Sequence, residues 1–178
     1  MRKIVAGLFI SLDGVIEDAN EWMGPWFNDE AGQAVGAMMA AQDAMLLGRV
    51  TYDGFAAHWP HQTGEMADTM NGTAKYVVSG TLKSADWQNT TLIPPDRAAA
   101  QIAELKQQPG KNIGITGSGT LVSWLLREGL LDELRLLVFP VVLGRGKRLF
   151  GPGDKVPLQL AGSAAFQTGV LNLTYTRA

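Results

Sequence analysis

Apolar residues run almost unbroken through residues 3–10, the pattern of a strand buried on both faces. Shorter apolar, β-branched runs recur at 44–47, 75–79, 90–93 and 112–115. Between them the period lengthens. Residues 31–42 (rich in Ala and Met), 51–57, 65–71, 96–108 and 121–128 read as helices. Asn28 is placed to cap the first of these, with Asp29 and Glu30 in its first turn, where carboxylates favour the helix dipole. Pro109-Gly110 stops the helix over 96–108. After residue 128 the alternation ends. Residues 134–142 form a long apolar strand, bent or ended near Pro140, and 158–164 with 170–177 form an antiparallel hairpin at the sheet edge. The pattern predicts one α/β domain: a mostly parallel central sheet, helices on both faces and an antiparallel C-terminal end.

Composition narrows the classes. The 178 residues are 46% hydrophobic and 18% charged, enough for a real core in one soluble domain. A net charge of −2 gives no global bias towards nucleic acid or anionic membrane. With no cysteine, disulfides, thiolate metal sites and a cysteine nucleophile are excluded, which fits a reducing cytoplasm. Arg2 and Lys3 before an apolar run imitate a signal peptide, but the run stops at Asp13, so it reads as a first core strand.

Two strand-to-helix turns carry the candidate chemistry. The run Asn112 to Thr116 ends in Gly117-Ser118-Gly119, and Thr120 and Leu121 open the next helix. Glycine lets the backbone approach a ligand, and a new helix offers unpaired N–H groups and a positive dipole end. Such a turn suits a phosphate, although alone it also reads as a mere tight turn. Gly48, Arg49 and Thr51 repeat the arrangement after the second strand. Two such turns could hold the two ends of a dinucleotide.

The remaining features read two ways. The loop over 18–27 carries Trp22, Trp26 and Phe27, which either plug the edge of the core or face a substrate. His58 and His61 flank Pro60 with no third ligand nearby, a solvated loop rather than a metal site. Arg145, Lys147 and Arg148 sit in a glycine-rich loop that could meet a phosphorylated substrate or form a solvated turn or dimer contact.

Several of these pieces match a known family in order. They are Ser11-Leu12-Asp13-Gly14, Leu47-Gly48-Arg49-Val50-Thr51-Tyr52, Val77-Val78-Ser79, Gly117-Ser118-Gly119, and above all the tail from Gly129-Leu130-Leu131-Asp132-Glu133-Leu134 through Pro140-Val141-Val142-Leu143-Gly144 to Phe150. Over nearly its whole length the chain resembles the dihydrofolate-reductase-like superfamily, and more closely the reductase domain of bacterial bifunctional riboflavin-biosynthesis deaminase-reductases. The resemblance implies an NADPH-dependent reductase that moves hydride to a small heterocycle such as a sugar-bearing pyrimidine. It implies that the first strand and Ile16 hold the nicotinamide end. Gly48, Arg49 and Thr51 would grip the phosphates near the adenosine, and Ser79 would lie near the 2′-phosphate. The pyrophosphate would lie on Gly117, Ser118, Gly119, Thr120 and Leu121. The deaminase part is absent, since its zinc signature needs paired cysteines.

Two departures stand out. Many relatives place an arginine after the serine that closes the third strand, and here Gly80 stands there, so 2′-phosphate recognition falls to Arg49, Ser79 or Lys83. Folate reductases carry a carboxylate in the helix after the first loop. Glu30 and Asp29 lie in the comparable helix, and Asp13 and Glu17 lie near the expected nicotinamide pocket. Asp13 and Glu30 are the candidate catalytic acids, and Trp22 and Trp26 the candidate substrate wall. Rival readings are a dihydrofolate- or pterin-type or small-carbonyl reductase and a non-catalytic dinucleotide-binding protein. The family likeness suggests a homodimer, and the apolar strand near 136–142, if it lay at an open edge, would need such a partner.

Overall fold

The computed structural model describes residues 1–153 and 155–178. The elements follow in the order β1 (Ile4–Ser11), α1 (Ala19–Trp22), α2 (Asp29–Ala40), β2 (Gln42–Gly48), α3 (Arg49–His58), α4 (Glu65–Gly72), β3 (Ala74–Val78), β4 (Thr90–Ile93), α5 (Ala98–Gln107), β5 (Asn112–Thr116), α6 (Gly119–Arg127), β6 (Glu133–Phe139), β7 (Leu158–Ala165) and β8 (Leu171–Arg177). The strands form one sheet in the order β4-β3-β2-β5-β1-β6-β8-β7. The six from β4 to β6 run parallel, and β8 and β7 add an antiparallel hairpin at the edge.

Strand periodicity divides the core. On one face Ile4, Ala6, Leu8 and Ile10 of β1 meet Ile102 of α5 and the stripe Leu121, Val122, Leu125 and Leu126 of α6. On the other, Phe9 packs with Leu137, Phe139 and Ala31 of α2, while Met45 and Leu47 pack with Tyr52 of α3 and Met70 of α4. The order in which strands are added reverses between the parallel neighbours β2 and β5. From β2 the chain moves outward to β3 and β4, and from β5 it moves the other way to β6. Right-handed crossovers therefore send α3 and α6 to opposite faces and open a crevice at the carboxyl ends of β2 and β5, where such sheets bind ligands.

Four local expectations are corrected. The strand expected over 134–142 ends at Phe139, before Pro140, and lies between β1 and β8 rather than at an edge. The open-edge reason for a partner subunit therefore falls away. The segment over 18–27 is not plain loop: it holds α1 and a 3₁₀ turn over Gly24–Trp26. Gln42, expected to close the helix, instead opens β2. The helices after both glycine turns begin two residues earlier than expected, at Arg49 and Gly119.

Candidate functional site

The two glycine turns meet at the crevice. A Cβ on Gly48 would collide with Ser118 Oγ and lie 3.1 Å from Ser118 Cβ. One on Gly117 would lie 3.4 Å from Thr51 Oγ1, and one on Gly119 would collide with Ile16 Cδ1. Ile16, Gly48, Thr51, Gly117, Ser118 and Gly119 thus form one cluster drawn from three segments. Gly117 and Ser118 both take the left-handed conformation, with φ of 87° and 60°, to make the sharp entry into α6. Neither Gly48 nor Ser118 caps its helix through a side chain, so no such group competes for the first-turn N–H donors of α3 and α6.

Other residues of the implied cofactor site are placed around this cluster. Arg49 pairs with Asp53 at 2.8 Å one turn along α3, with both side chains partly exposed. Ser79 closes β3 at the same end of the sheet, where its Oγ accepts from the backbone N–H groups of Thr81 and Leu82. Leu121 is buried in the core, so only its backbone can serve a ligand. Thr120 Oγ1 accepts from Lys147 Nζ at 2.9 Å, which sets a cation beside the first turn of α6. Of the basic loop, Lys147 alone makes this contact. Arg148 is turned back to Asp13, donating from Nε to the backbone oxygen at 2.9 Å.

A cavity of about 550 Å³ lies between the sheet and α2–α3, and Ile16, Thr51 and Gly117 belong to its lining. The volume suits a drug-sized heterocycle. Its walls are apolar: Val35, Met38, Met39, Phe55, Trp59, Met66 and Met70. Its floor is a row across four strands, Thr116, Gly7, Arg135 and Thr174, set side by side by register. Gly7 leaves a notch that Met38 fills, since a Cβ there would collide with Met38 Sδ and Cε.

Asp13, Glu30, Trp22 and Trp26 are not among the residues lining this cavity. Asp13 clamps two segments: its Oδ1 accepts from Ser11 Oγ at 2.6 Å and from Leu143 N at 3.1 Å, and its Oδ2 from Gly144 N at 2.9 Å. These donors hold its carboxyl well below the usual carboxylate range, the Ser11 hydroxyl foremost. Glu30 accepts from Gln167 N at 2.9 Å and from Asn28 Nδ2 at 3.0 Å, which lower its pKa and tie the β7–β8 turn to α2. Asn28 caps α2 as the sequence indicates, accepting from Ala31 N. Trp22 donates to Glu17 O and meets Phe139 edge-on with centroids 5.6 Å apart, and Trp26 packs on the same cluster. Both are half-buried against the cluster of Ala31, Leu137 and Phe139.

Sequence reading missed Met38, Gln42, Arg135, Asn172 and Thr174. Arg135 left one signal: with Glu133 it interrupts an otherwise apolar run. Among the described residues no group of three potential ligands is placed to hold a metal, and no helix is long and apolar enough to cross a membrane.

The family model for the RibD C-terminal domain matches residues 2–172. The chain belongs to that family. Within the RibD C-terminal family it is 33% identical over 181 residues to YwjB of Bacillus subtilis, itself uncharacterised, covering 99% of each chain. Among solved structures, a protein of Shewanella sp. PV-4 provisionally named as a riboflavin biosynthesis protein superposes with a TM-score of 0.76 at 22% identity, with 99% of each chain covered. A dihydrofolate reductase from Enterococcus faecalis, complexed with NADP(H) and RAB-propyl, superposes with a TM-score of 0.67 at 14% identity over 98% of this chain and 96% of that one. At these identities the structural likeness establishes the dihydrofolate-reductase-like fold.

Proposed function

We propose that this RibD-type reductase domain binds NADPH across the paired glycine turns and transfers hydride to a small heterocycle held in the adjoining cavity. The observation that carries the reading is the meeting of the turn of Gly48 and Thr51 with the turn of Gly117 to Gly119, of which Thr51 and Gly117 line that cavity. A side chain at Gly48 or Gly119 would run into Ser118 or Ile16 and spread the turns apart, and the helix N-termini they open suit phosphate oxygens. The complex of the Enterococcus faecalis reductase with NADP(H) supports the same choice of cofactor.

The residues divide the task by position. The backbone of Gly117, Ser118 and Gly119, with Lys147, would hold the pyrophosphate. Arg49 and Ser79 flank the adenosine end, where Gly80 offers no cation, and Arg49 would turn from Asp53 towards the 2′-phosphate. Ile16 and the β1 backbone near Gly7 would bound the nicotinamide end. The cofactor, when bound, supplies the hydride. The apolar walls then exclude water and hold the acceptor ring in line, which matters more to hydride transfer than a dedicated base. The substrate is a small heterocycle of the pyrimidine or pterin kind.

The test is turnover. Purified protein is mixed with NADPH and a panel of phosphoribosylaminouracil-type pyrimidines, pterins and small carbonyls, and the loss of reduced nicotinamide absorbance is followed. A reduced product formed in step with cofactor loss supports the reading. Cofactor that binds but is never consumed across the panel makes the chain a dinucleotide-binding protein instead.

A further inference from the structure

Gln42 lines the cavity from a position where strand alternation would not put it. In β2, Met45 and Leu47 face α3 and α4, whereas Ala44 and Leu46 face the opposite core. Continued backwards, that alternation would turn Asp43 towards the cavity and Gln42 away from it. The register against β5 slips at this point. Ala44 stands beside Ile113 and Gln42 beside Asn112, with Asp43 as the extra residue. Such a bulge re-aims side chains, and here it brings Gln42 to the side of Met45. Asp43 does not line the cavity; Arg2 Nη2 and the backbone N–H of Lys111 donate to its carboxylate. The neighbouring strand makes room for Gln42. A Cβ on Gly114 of β5 would collide with Oε1, Cδ and Nε2 of Gln42, so the carboxamide lies against bare backbone. Gly114 does not take a left-handed conformation, and its missing side chain answers to Gln42. Among the described residues the carboxamide has no hydrogen-bond partner, and neither of its polar atoms is sealed from the cavity.

A bulge and a glycine thus set one uncharged amide into a cavity walled by Val35, Met38, Met39 and Phe55. A carboxamide presents a donor and an acceptor side by side, and it pairs twice with a ring edge that carries the same two groups in reverse. A half-turn about its last bond exchanges the two, so either order on the ring is met. An apolar molecule filling the cavity would strip water from the carboxamide and return nothing, at a cost in affinity. A site of this kind rejects an analogue that lacks the matching donor. We infer that Gln42 is a specificity-determining residue, and that the molecule filling this cavity presents to it a lactam edge, a ring N–H beside a carbonyl. The inference rests on the proposed function in taking the cavity as the acceptor's site, and it names the residue that reads the acceptor ring and the edge it reads.

The experiment uses two neutral bicyclic probes of one shape, titrated calorimetrically into the intact chain. One is 2-quinolone, which carries a lactam edge; the other is coumarin, in which a ring oxygen replaces that N–H. The lactam is expected to bind about tenfold tighter than coumarin, the worth of roughly one hydrogen bond. Gln42→Met keeps the length of the side chain and removes both polar atoms. It is expected to erase the preference and leave coumarin affinity within about threefold. Gly114→Ala displaces the carboxamide without changing its chemistry, and alanine suits the ordinary strand backbone at that position. It is expected to reduce the preference severalfold, and it decides the matter if Gln42→Met fails to fold. Equal affinity for the two probes, binding of neither, or a preference unchanged in either folded variant overturns the inference. The same proteins are titrated with NADPH. A lactam preference without NADPH binding removes the proposed function and keeps Gln42 as the reader of the cavity, and the converse result removes this inference alone.

Discussion

Gly48 and Ser118 touch across two separate strand-to-helix turns, so closely that a single Cβ on Gly48 would collide with the Ser118 hydroxyl. Gly48 has an ordinary extended backbone, with φ of −83° and ψ of 162°. Its lack of a side chain therefore answers to the neighbouring turn and not to its own dihedrals. Gly48→Val is expected to force the turns apart, at a cost of about 1–3 kcal/mol in stability. NADPH affinity should fall about tenfold or more. Removing the hydroxyl should relieve the clash. In a double-mutant cycle read by urea unfolding, Gly48→Ala with Ser118→Gly should be more stable than Gly48→Ala alone, because glycine also suits the left-handed conformation at 118.

Lys147 reaches the first turn of α6 through Thr120 Oγ1. Lys147→Met should weaken NADPH binding about threefold to tenfold at low salt, with a smaller effect as added salt screens the charge. The far-ultraviolet circular dichroism and melting temperature should barely change. An unaltered affinity at low salt would separate the basic loop from the cofactor.

Asp13 is predicted to be a clamp and not a proton donor. Its carboxyl pKa is depressed, so its contribution to stability is present above the ordinary value of 3.8 and is lost as pH falls below that value towards the folded-state pKa. Asp13→Asn should lower the melting temperature at neutral pH, and the gap from the parent should close as the solution is acidified below pH 3.8. Well below its melting temperature the variant should retain kcat within a few-fold. Loss of turnover with full stability would return Asp13 to the chemistry.

Lys75 is fully buried beneath the end of α4. Its Nζ donates to the carbonyls of Met70, Asn71 and Thr73 at 3.0, 3.1 and 2.7 Å, and it lies 4.1 Å from the centroid of the Trp87 ring. Lys75→Met would leave these carbonyls without their donor and should cost about 3 kcal/mol. Burial pushes the Lys75 pKa down to about 8 from 10.5. The unfolded chain then binds more protons than the folded one between pH 8 and 10.5, so stability conferred by this group rises with pH across that window. Urea unfolding of parent and Lys75→Met at several pH values in that range should show the difference growing in the parent's favour.

Sequence periodicity located the strands, the two glycine turns and the C-terminal hairpin, because strand alternation, left-handed glycines and turn residues are local properties. Strand order is not local. The run containing Leu136 and Val138 looks the same at an edge or in the middle, and it lies centrally because the crossover from β5 carries the chain past β1. The same limit hid Arg135, whose partners Glu133 and Lys3 are brought together by the pairing of β6 with β1. The segment of Trp22 and Trp26 read as a loop because a helix of four residues is too short to show a period. The phosphate-like turns at Gly48 and Gly117 were legible separately. Their contact required the reversal of strand order between β2 and β5.

The central claim is that the paired glycine turns at the cavity mouth hold a reduced dinucleotide. The most direct test is a titration of the parent chain and of Gly117→Val with NADPH and with NADH, followed by tryptophan fluorescence. The chain has five tryptophans, of which Trp59 lines the cavity, and valine at 117 meets both a φ of 87° and Thr51. The account predicts saturable binding to the parent, tighter for NADPH than for NADH, and its loss in a Gly117→Val chain that still folds. No saturable binding to the parent, or equal binding to both chains, would contradict it.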